Sequence, residues 1–333
     1  MQELVVIYLF NIKQLMKGNN MNNLKKVGLT ALGTVLVAGS AQAATMSVSG
    51  GTSIFFGGED NSDGGNGWSM TDQVTFSASG EMDNGMTIST SLQLDSTGQD
   101  GNVGPYDDRS ITIGMGDQGT LVFSGHGSSG PVGSWDDLTP TANEESWGTS
   151  IGGTVDGPTN AAIGNNSFVY DYTVTDGIAL KAAYKPSKSG GIESSTEVGV
   201  AYTGIDGLTI KAAMGENNDA ADKIDLSVFS ANYAMGPMTF GIQSNESDAG
   251  TGTDEDFTAY GVSYAVNDDV SVSYGVSTLD YSSTLEDQDS SAVSVSFTAG
   301  GVAISASHQS TDNVAGSATA DNSSYEINFS FSF

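Results

Sequence analysis

The sequence predicts an all-β protein, a transmembrane antiparallel β-barrel of sixteen strands that occupies residues 44–333. Three observations predict this fold. Apolar residues alternate with small or polar ones through segments of about 8 to 12 residues, the period of a strand with one apolar face. The number of such segments is even. The breaks between them alternate in order between a short turn and a longer acidic loop, as in transmembrane β-barrels.

The strand period is clearest in the segment DVSVSYGVS at 269–277. It places valines and a tyrosine on one face, and serines and a glycine on the other. A segment of this kind predicts a strand because successive side chains point to opposite sides of the pleat. The predicted strands are 45–57, 69–81, 85–96, 107–116, 119–125, 166–175, 177–186, 194–204, 207–215, 222–235, 237–245, 255–266, 269–279, 289–298, 301–309 and 322–333.

Tight turns are predicted at one end of the sheet and longer loops at the other. Pairs such as Asp-Gly and Gly-Gly supply the positive φ that short hairpins need. The seven tight turns fall at 83–85, 116–119, 176–177, 206–207, 236–237, 267–269 and 300–301, and eight longer loops alternate with them. A soluble, acidic surface protein or adhesin rich in Gly and Asp is the alternative. The even strand number, the strand lengths and the strict alternation of turns and loops favour the barrel.

The N-terminal region has the order of a secretory signal. Residues 21–43 contain two lysines, then an apolar run from Val27 to Ala38, then Ala41-Gln42-Ala43. This order predicts a signal peptide cleaved after Ala43, and residues 1–20 are interpreted as an upstream extension. A membrane anchor is disfavoured, since a spanning helix needs about 20 apolar residues. The chain has no cysteine, so disulfides do not stabilise it.

Composition excludes several classes of function. The chain has 40 acidic and 10 basic residues and a net charge of −30, which argues against nucleic-acid binding. Only two histidines occur, His126 and His308, and neither has the spacing of a metal ligand or of a catalytic group. No Gly-x-Ser-x-Gly motif follows a strand and opens a helix. The sequence therefore predicts neither an enzyme nor a protein with a bound cofactor.

The C-terminal segment YEINFSFSF carries the clearest resemblance to a known family. Alternation predicts that its aromatic and apolar residues face lipid: Tyr325, Ile327, Phe329, Phe331 and Phe333. A last strand with a terminal Phe resembles the assembly signal of Gram-negative general diffusion porins. The segments ATMSVSGGTSIFFGG and GTLVFSGHGS are similar to the first strand of those porins and to the strand that leads into their constricting loop.

The resemblance implies a homotrimer of sixteen-stranded barrels in the outer membrane. It implies insertion by the barrel-assembly machinery, which reads the C-terminal signal. It also implies a third external loop folded into the lumen. The segment from Ser124 to Asn165, about 40 residues long, follows the fifth predicted strand as that implication requires.

The predicted constriction combines acids of this loop with two lysines of the barrel wall. Alternation places both lysines towards the lumen, and it places Arg109 at the rim. Few basic residues offset the acids, which favours cation selectivity. The predicted constriction residues are Asp136, Asp137, Glu144, Glu145, Asp156, Lys181 and Lys211.

These features predict passive diffusion of small hydrophilic solutes and inorganic cations. A substrate-specific channel on the same fold is the alternative, with a short aromatic track near Trp135 and Trp147. The remaining loops are acidic as well, and weak Ca²⁺ or Mg²⁺ binding there is a hypothesis.

Overall fold

The computed structural model describes residues 45–59, 67–95, 106–147, 163–188, 193–218, 223–250 and 253–332. The predicted upstream extension and signal peptide, residues 1–43, lie outside the described residues, and so do Asp156 and Phe333. None of the described helices is long and apolar enough to cross a membrane.

Sixteen strands form in the order that the period-two pattern predicts. They are β1 Thr45–Glu59, β2 Gly67–Glu81, β3 Thr87–Asp95, β4 Arg109–Gly114, β5 Thr120–His126, β6 Ser167–Thr175, β7 Ile178–Lys185, β8 Ser195–Ile205, β9 Leu208–Asn217, β10 Ile224–Met235, β11 Met238–Ala249, β12 Glu255–Ala265, β13 Val270–Tyr281, β14 Gln288–Ala299, β15 Val302–Asp312 and β16 Asn322–Ser332. Within the described ranges the helical elements are one short helix, α1 at Pro131–Trp135, and two 3₁₀ turns at Gly116–Gln118 and Val314–Gly316.

Two strand boundaries differ most from the prediction, and pairing explains both. β11 continues to Ala249, beyond the predicted 245, because its acidic end pairs in register with β10 as far as Ile224. β4 is shorter than predicted at both ends, where its register with β5 shifts between Arg109 and Ser110 and where the 3₁₀ turn at Gly116–Gln118 follows. The polar and acidic residues after 245 predict the end of β11 there. Hydrogen bonding to β10 nevertheless continues the strand to Ala249.

The strands close into one antiparallel barrel in which β1 pairs with β16. Every neighbour along the chain is also a neighbour in the sheet, so the seven turns lie at one end and the eight loops at the other. Gly177 and Gly207 have φ of 77° and 74° in two of the turns, a conformation that favours glycine. Closure leaves no unpaired sheet edge, which a barrel in lipid requires.

The two faces of the barrel have opposite character. On β11, Phe240 and Ile242 are 41% and 38% exposed, whereas Gln243 and Asn245 are 0% and 5% exposed. The pairing register carries this alternation from strand to strand, so apolar side chains cover the outside and small polar side chains line the inside. Exposed apolar residues on other strands include Val48, Met70, Ile111, Leu180, Phe229, Tyr260, Tyr274, Val295 and Phe331.

The last strand has the predicted alternation over its described residues. Tyr325 pairs with His308 and Phe329 with Ile304, both on the outer face, while Glu326 is 2% exposed and points inward. The outer face also carries carboxylates at the loop ends of consecutive strands. Asp256 lies directly opposite Asp280. Further acids of this outer group are Glu216, Asp225, Glu246, Asp248, Asp289 and Asp312.

Candidate pore constriction

The long connection between β5 and β6 contacts the inner wall of the barrel. Its described residues are 127–147 and 163–166, and they include helix α1. The chain turns at Gly127, where φ is 73°, and α1 begins with Pro131 at its first turn, a position that suits proline. Within this turn Ser134 Oγ donates a hydrogen bond to Gly130 O at 2.6 Å.

The first part of the loop packs against β6 to β10. Trp135 is 7% exposed, and a Cβ at Gly199 on β8 would lie 2.8 Å from Pro131 Cβ. Because residue 199 is a glycine, α1 can pack directly against β8. The apolar cluster around α1 consists of Val132, Trp135, Ile163, Val169, Ala183, Ala213, Leu226 and Val228.

Amide side chains of the wall hold the middle of the loop. Leu138 N donates to Gln243 Oε1 at 2.6 Å, and Asn232 Nδ2 donates to Leu138 O at 2.7 Å. Asn245 Nδ2 donates to Asp136 O at 3.0 Å, and Gln243 Nε2 donates to the same carbonyl. These contacts satisfy backbone groups that would otherwise lie buried without partners.

The next part of the loop reaches the strands on the far side of the same wall. Ala142 N donates to Ser273 Oγ on β13 at 2.8 Å, and Ser146 Oγ donates to Ser277 Oγ on the same strand at 2.8 Å. Asn143 Nδ2 donates to Ser307 Oγ on β15 at 2.7 Å. The loop therefore follows the inner wall from β6 to β16.

The four described acids predicted for the constriction lie in the middle of the loop and in the part that follows it. Burial raises the pKa of Asp136 to about 7, and the carboxylates of Asp137 and Glu197 contribute smaller effects. Burial likewise raises the pKa of Glu144 to about 7, with additional effects from the carboxylates of Glu326 and Glu145.

The other two loop acids titrate in the same direction. Burial raises the pKa of Asp137, and the Lys211 ammonium opposes that effect. Burial also raises the pKa of Glu145, and Asp137 adds to the effect, so the charges of these two residues act on each other. Acids contributed by both halves of the segment 136–145 thus share one electrostatic environment.

The two predicted lysines lie on the loop side of the barrel. Lys181 Nζ on β7 donates to Ser134 Oγ at 3.0 Å, and Lys211 Nζ on β9 lies 5.6 Å from the centroid of the Trp135 ring. Arg109 is the first residue of β4, at its loop end, with its side chain beside Gly125. Lysines and acids therefore stand on one side, instead of facing each other across the lumen.

The wall opposite the loop is uncharged at mid-strand. Between residues 45 and 175 Arg109 is the only basic residue. The pairing register puts Ser53 opposite Thr71 and Thr75 opposite Gln93 on the inner face, and Thr75 Oγ1 donates to Gln93 Oε1 at 3.3 Å. Hydroxyl and amide groups of β1 to β4 thus face the acidic loop.

Sequence reasoning missed the wall residues that hold the loop. Glu197, Gln243 and Asn245 are buried polar residues on inward positions of their strands. One signal was present: each is a large polar residue at a position where its strand otherwise carries small side chains. The aromatic residues behave differently from the proposed track, since Trp135 is buried and Trp147 packs edge-on against Phe257 with ring centroids 4.7 Å apart.

Comparison with known sequences agrees with this architecture. The sequence model of the Gram-negative porin family matches residues 28–285. The chain therefore belongs to the Gram-negative porins, and it is an outer-membrane channel protein. No curated protein matches the chain by sequence.

Solved porin structures share the fold. OmpT, an outer membrane protein of Vibrio cholerae, in its trimer form, has a TM-score of 0.65 at 15% identity, covering 88% of this chain and 100% of that chain. An anion-selective porin from Comamonas acidovorans has a TM-score of 0.64 at 13% identity, covering 87% and 100%. A substituted porin of Rh. blastica has a TM-score of 0.65 at 16% identity, with the same coverage. At these identities the likeness concerns the fold.

Proposed function

We propose that this porin is a passive channel for small hydrophilic solutes and inorganic cations, with a preference for cations. The observation that carries the proposal is the one-sided charge of the candidate constriction. Asp137 and Glu145 lie on the loop, whereas the facing wall carries serine, threonine and glutamine at mid-strand and its acids, Glu81 and Asp95, at the strand ends. Carboxylates beside a water-filled passage attract cations and repel anions.

The sign of the selectivity depends on this chain's own residues, because the fold accommodates both signs. An anion-selective porin has the same fold. In the present chain two lysines of the wall stand beside four described loop acids. The lysine charges offset the acids only in part, so the net charge of the candidate constriction is negative while the acids are ionised.

The remaining parts of the proposal concern assembly. A homotrimer is supported by the trimer form of the similar OmpT structure. Export with cleavage after Ala43, and insertion by the barrel-assembly machinery through the C-terminal strand, complete the proposed route to the outer membrane. The protein acts without catalysis and without a resident cofactor in this proposal.

Liposome swelling tests the diffusion mechanism. Purified folded protein in liposomes should admit neutral sugars at rates that fall steadily with solute size and do not saturate with concentration. Saturation for one sugar would replace the proposal with a substrate-specific channel. Absence of swelling, with protein whose electrophoretic mobility still changes on heating, would contradict a channel of either kind and favour an adhesive surface protein.

A further inference from the structure

A buried carboxylate joins the two ends of the long loop to the wall. Glu197 lies on β8 and is 1% exposed. Its Oε2 accepts a hydrogen bond from Val132 N at 2.8 Å, and its Oε1 accepts one from Ile163 N at 3.0 Å. Val132 belongs to the start of the loop and Ile163 to its end, so one side chain contacts both.

The surroundings of Glu197 leave room for this side chain in particular. A Cβ at Gly215 on the neighbouring strand would lie 2.5 Å from Glu197 Cγ, and a Cβ at Gly130 would overlap the carboxylate. Both donor residues are themselves buried, Val132 at 2% and Ile163 at 1% exposed. The two glycines and the apolar cluster therefore form a fitted pocket for the carboxylate.

The chemistry of these two bonds differs from that of the other loop contacts. One side chain accepts from two buried backbone N–H groups, and a buried donor left without an acceptor is destabilising. Side-chain amides and hydroxyls make most contacts further along the loop, as in the bonds from Leu138 N to Gln243 and from Ala142 N to Ser273. The Glu197 carboxylate, which accepts from one backbone N–H at each end of the loop, thus holds the loop where its two ends converge.

We propose that Glu197 is the positioning residue that fastens the base of the constriction loop to the barrel wall and thereby sets the width of the channel. The inference rests on the proposed function, because it concerns the loop that narrows the proposed channel. With the base fastened, the space between α1 and the β6 to β10 wall stays closed, and solutes pass on the other side of the loop.

Substitutions of Glu197 distinguish the effect of its two hydrogen bonds on the channel from an effect on folding. Glu197→Gln keeps the size of the side chain but sets an NH₂ group against one of the two backbone N–H groups. Glu197→Ala removes both acceptors. Leaving one buried backbone N–H without its acceptor shifts a two-state equilibrium by about tenfold or more, so the loop base should detach far more often. Glu81→Gln is the matched control, since Glu81 is an exposed residue on the inner parity of β2 at its turn end.

Single-channel recording in planar bilayers tests the proposal on channels that have folded. Wild type and Glu81→Gln should show the same conductance and low current noise. Glu197→Gln should visit a state of higher conductance about tenfold more often, and Glu197→Ala more often still. A purely structural role would lower the temperature at which the barrel unfolds without changing the conductance of folded channels. Folded Glu197→Gln channels with a conductance equal to or below that of wild type would overturn the proposal, whereas a silent wild type would overturn the proposed function instead.

Discussion

Asn143 in the long loop donates a hydrogen bond from Nδ2 to Oε1 of Glu326 on β16, at 3.0 Å and across 183 residues of sequence. Glu326 is buried, and its neighbours along β16, Tyr325 and Ile327, are on the outer face. The last strand therefore closes the barrel through its backbone pairing with β1 and contacts the loop through its inner face. This contact therefore links the loop directly to the strand that pairs with β1.

The first prediction concerns pH. The folded-state pKa of Asp136 and of Glu144 is raised to about 7, so both carboxyls are partly neutral below neutral pH. Cation selectivity, measured as the reversal potential in a KCl gradient, should therefore increase between about pH 5.5 and about pH 8.5. The double substitution Asp136→Asn with Glu144→Gln should remove at least about half of this change. An unchanged pH profile in the double variant would show that other groups control it.

The same two carboxyls affect stability with a defined sign. Each has a folded-state pKa of about 7, above its ordinary value of 3.8 for Asp136 or 4.5 for Glu144. Between those values the folded state binds more protons than the unfolded state. Their contribution to the free energy of unfolding therefore falls as pH rises from about 4 to about 7. The double variant should lose less stability over this window than wild type.

A disulfide offers a second prediction about the loop. An ideal Cβ at Gly275 would lie 3.7 Å from Ser146 Cβ, within the range of about 3.5 to 4.5 Å that disulfides require. The chain has no cysteine of its own, so Ser146→Cys with Gly275→Cys forms a single defined bridge. The oxidised channel should keep the wild-type conductance and show less current noise than the reduced one. If the bridge fails to form, or if it blocks the current, the loop does not rest on β13 in the conducting state.

The acidic outer ends of the strands give a prediction about divalent cations. Like charges directly opposite on neighbouring strands are destabilising, and Asp256 faces Asp280 while Asp289 faces Asp312. Millimolar Ca²⁺ should raise the unfolding temperature by about 2 to 4 °C, and EDTA should reverse the effect. Asp256→Asn with Asp280→Asn should reduce the shift. Equilibrium dialysis without bound calcium at millimolar levels would remove the hypothesis. Among the described residues no group of three acids or histidines is arranged to hold a metal ion.

The C-terminal strand gives a prediction about assembly. Deleting Phe333 should strongly reduce the amount of heat-modifiable protein in the outer membrane of cells. The same variant should refold in detergent almost as well as wild type, because pairing of β16 with β1 and β15 uses residues 322–332. Ser332→Ala is the control, since Ser332 lies on the inner face opposite Gly51. Equal amounts of wild type and the deletion variant in the outer membrane would mean that the terminal Phe is not the signal.

Much of the fold could be predicted from local sequence, because the period-two pattern reports which side of the sheet each residue occupies. The alternation of Lys181 with Ile178 and Leu180 already placed this lysine inward, where its Nζ contacts Ser134. The path of the loop along the wall could not be read in this way. The contacts of Glu197 with Val132 and Ile163 depend on where β8 lies in the closed barrel, and the local sequence pattern does not give that position. The raised pKa values of Asp136 and Glu144 depend on the same path, since burial causes them.

Recording in a planar bilayer measures directly whether the acid-lined channel prefers cations. Detergent-purified protein is reconstituted, and single-channel current and reversal potential are recorded across a KCl gradient at neutral to alkaline pH. We expect conductance steps in groups of three and a reversal potential that favours K⁺. A reversal potential that favours Cl⁻ would keep the channel but contradict the assignment of the loop acids to its constriction.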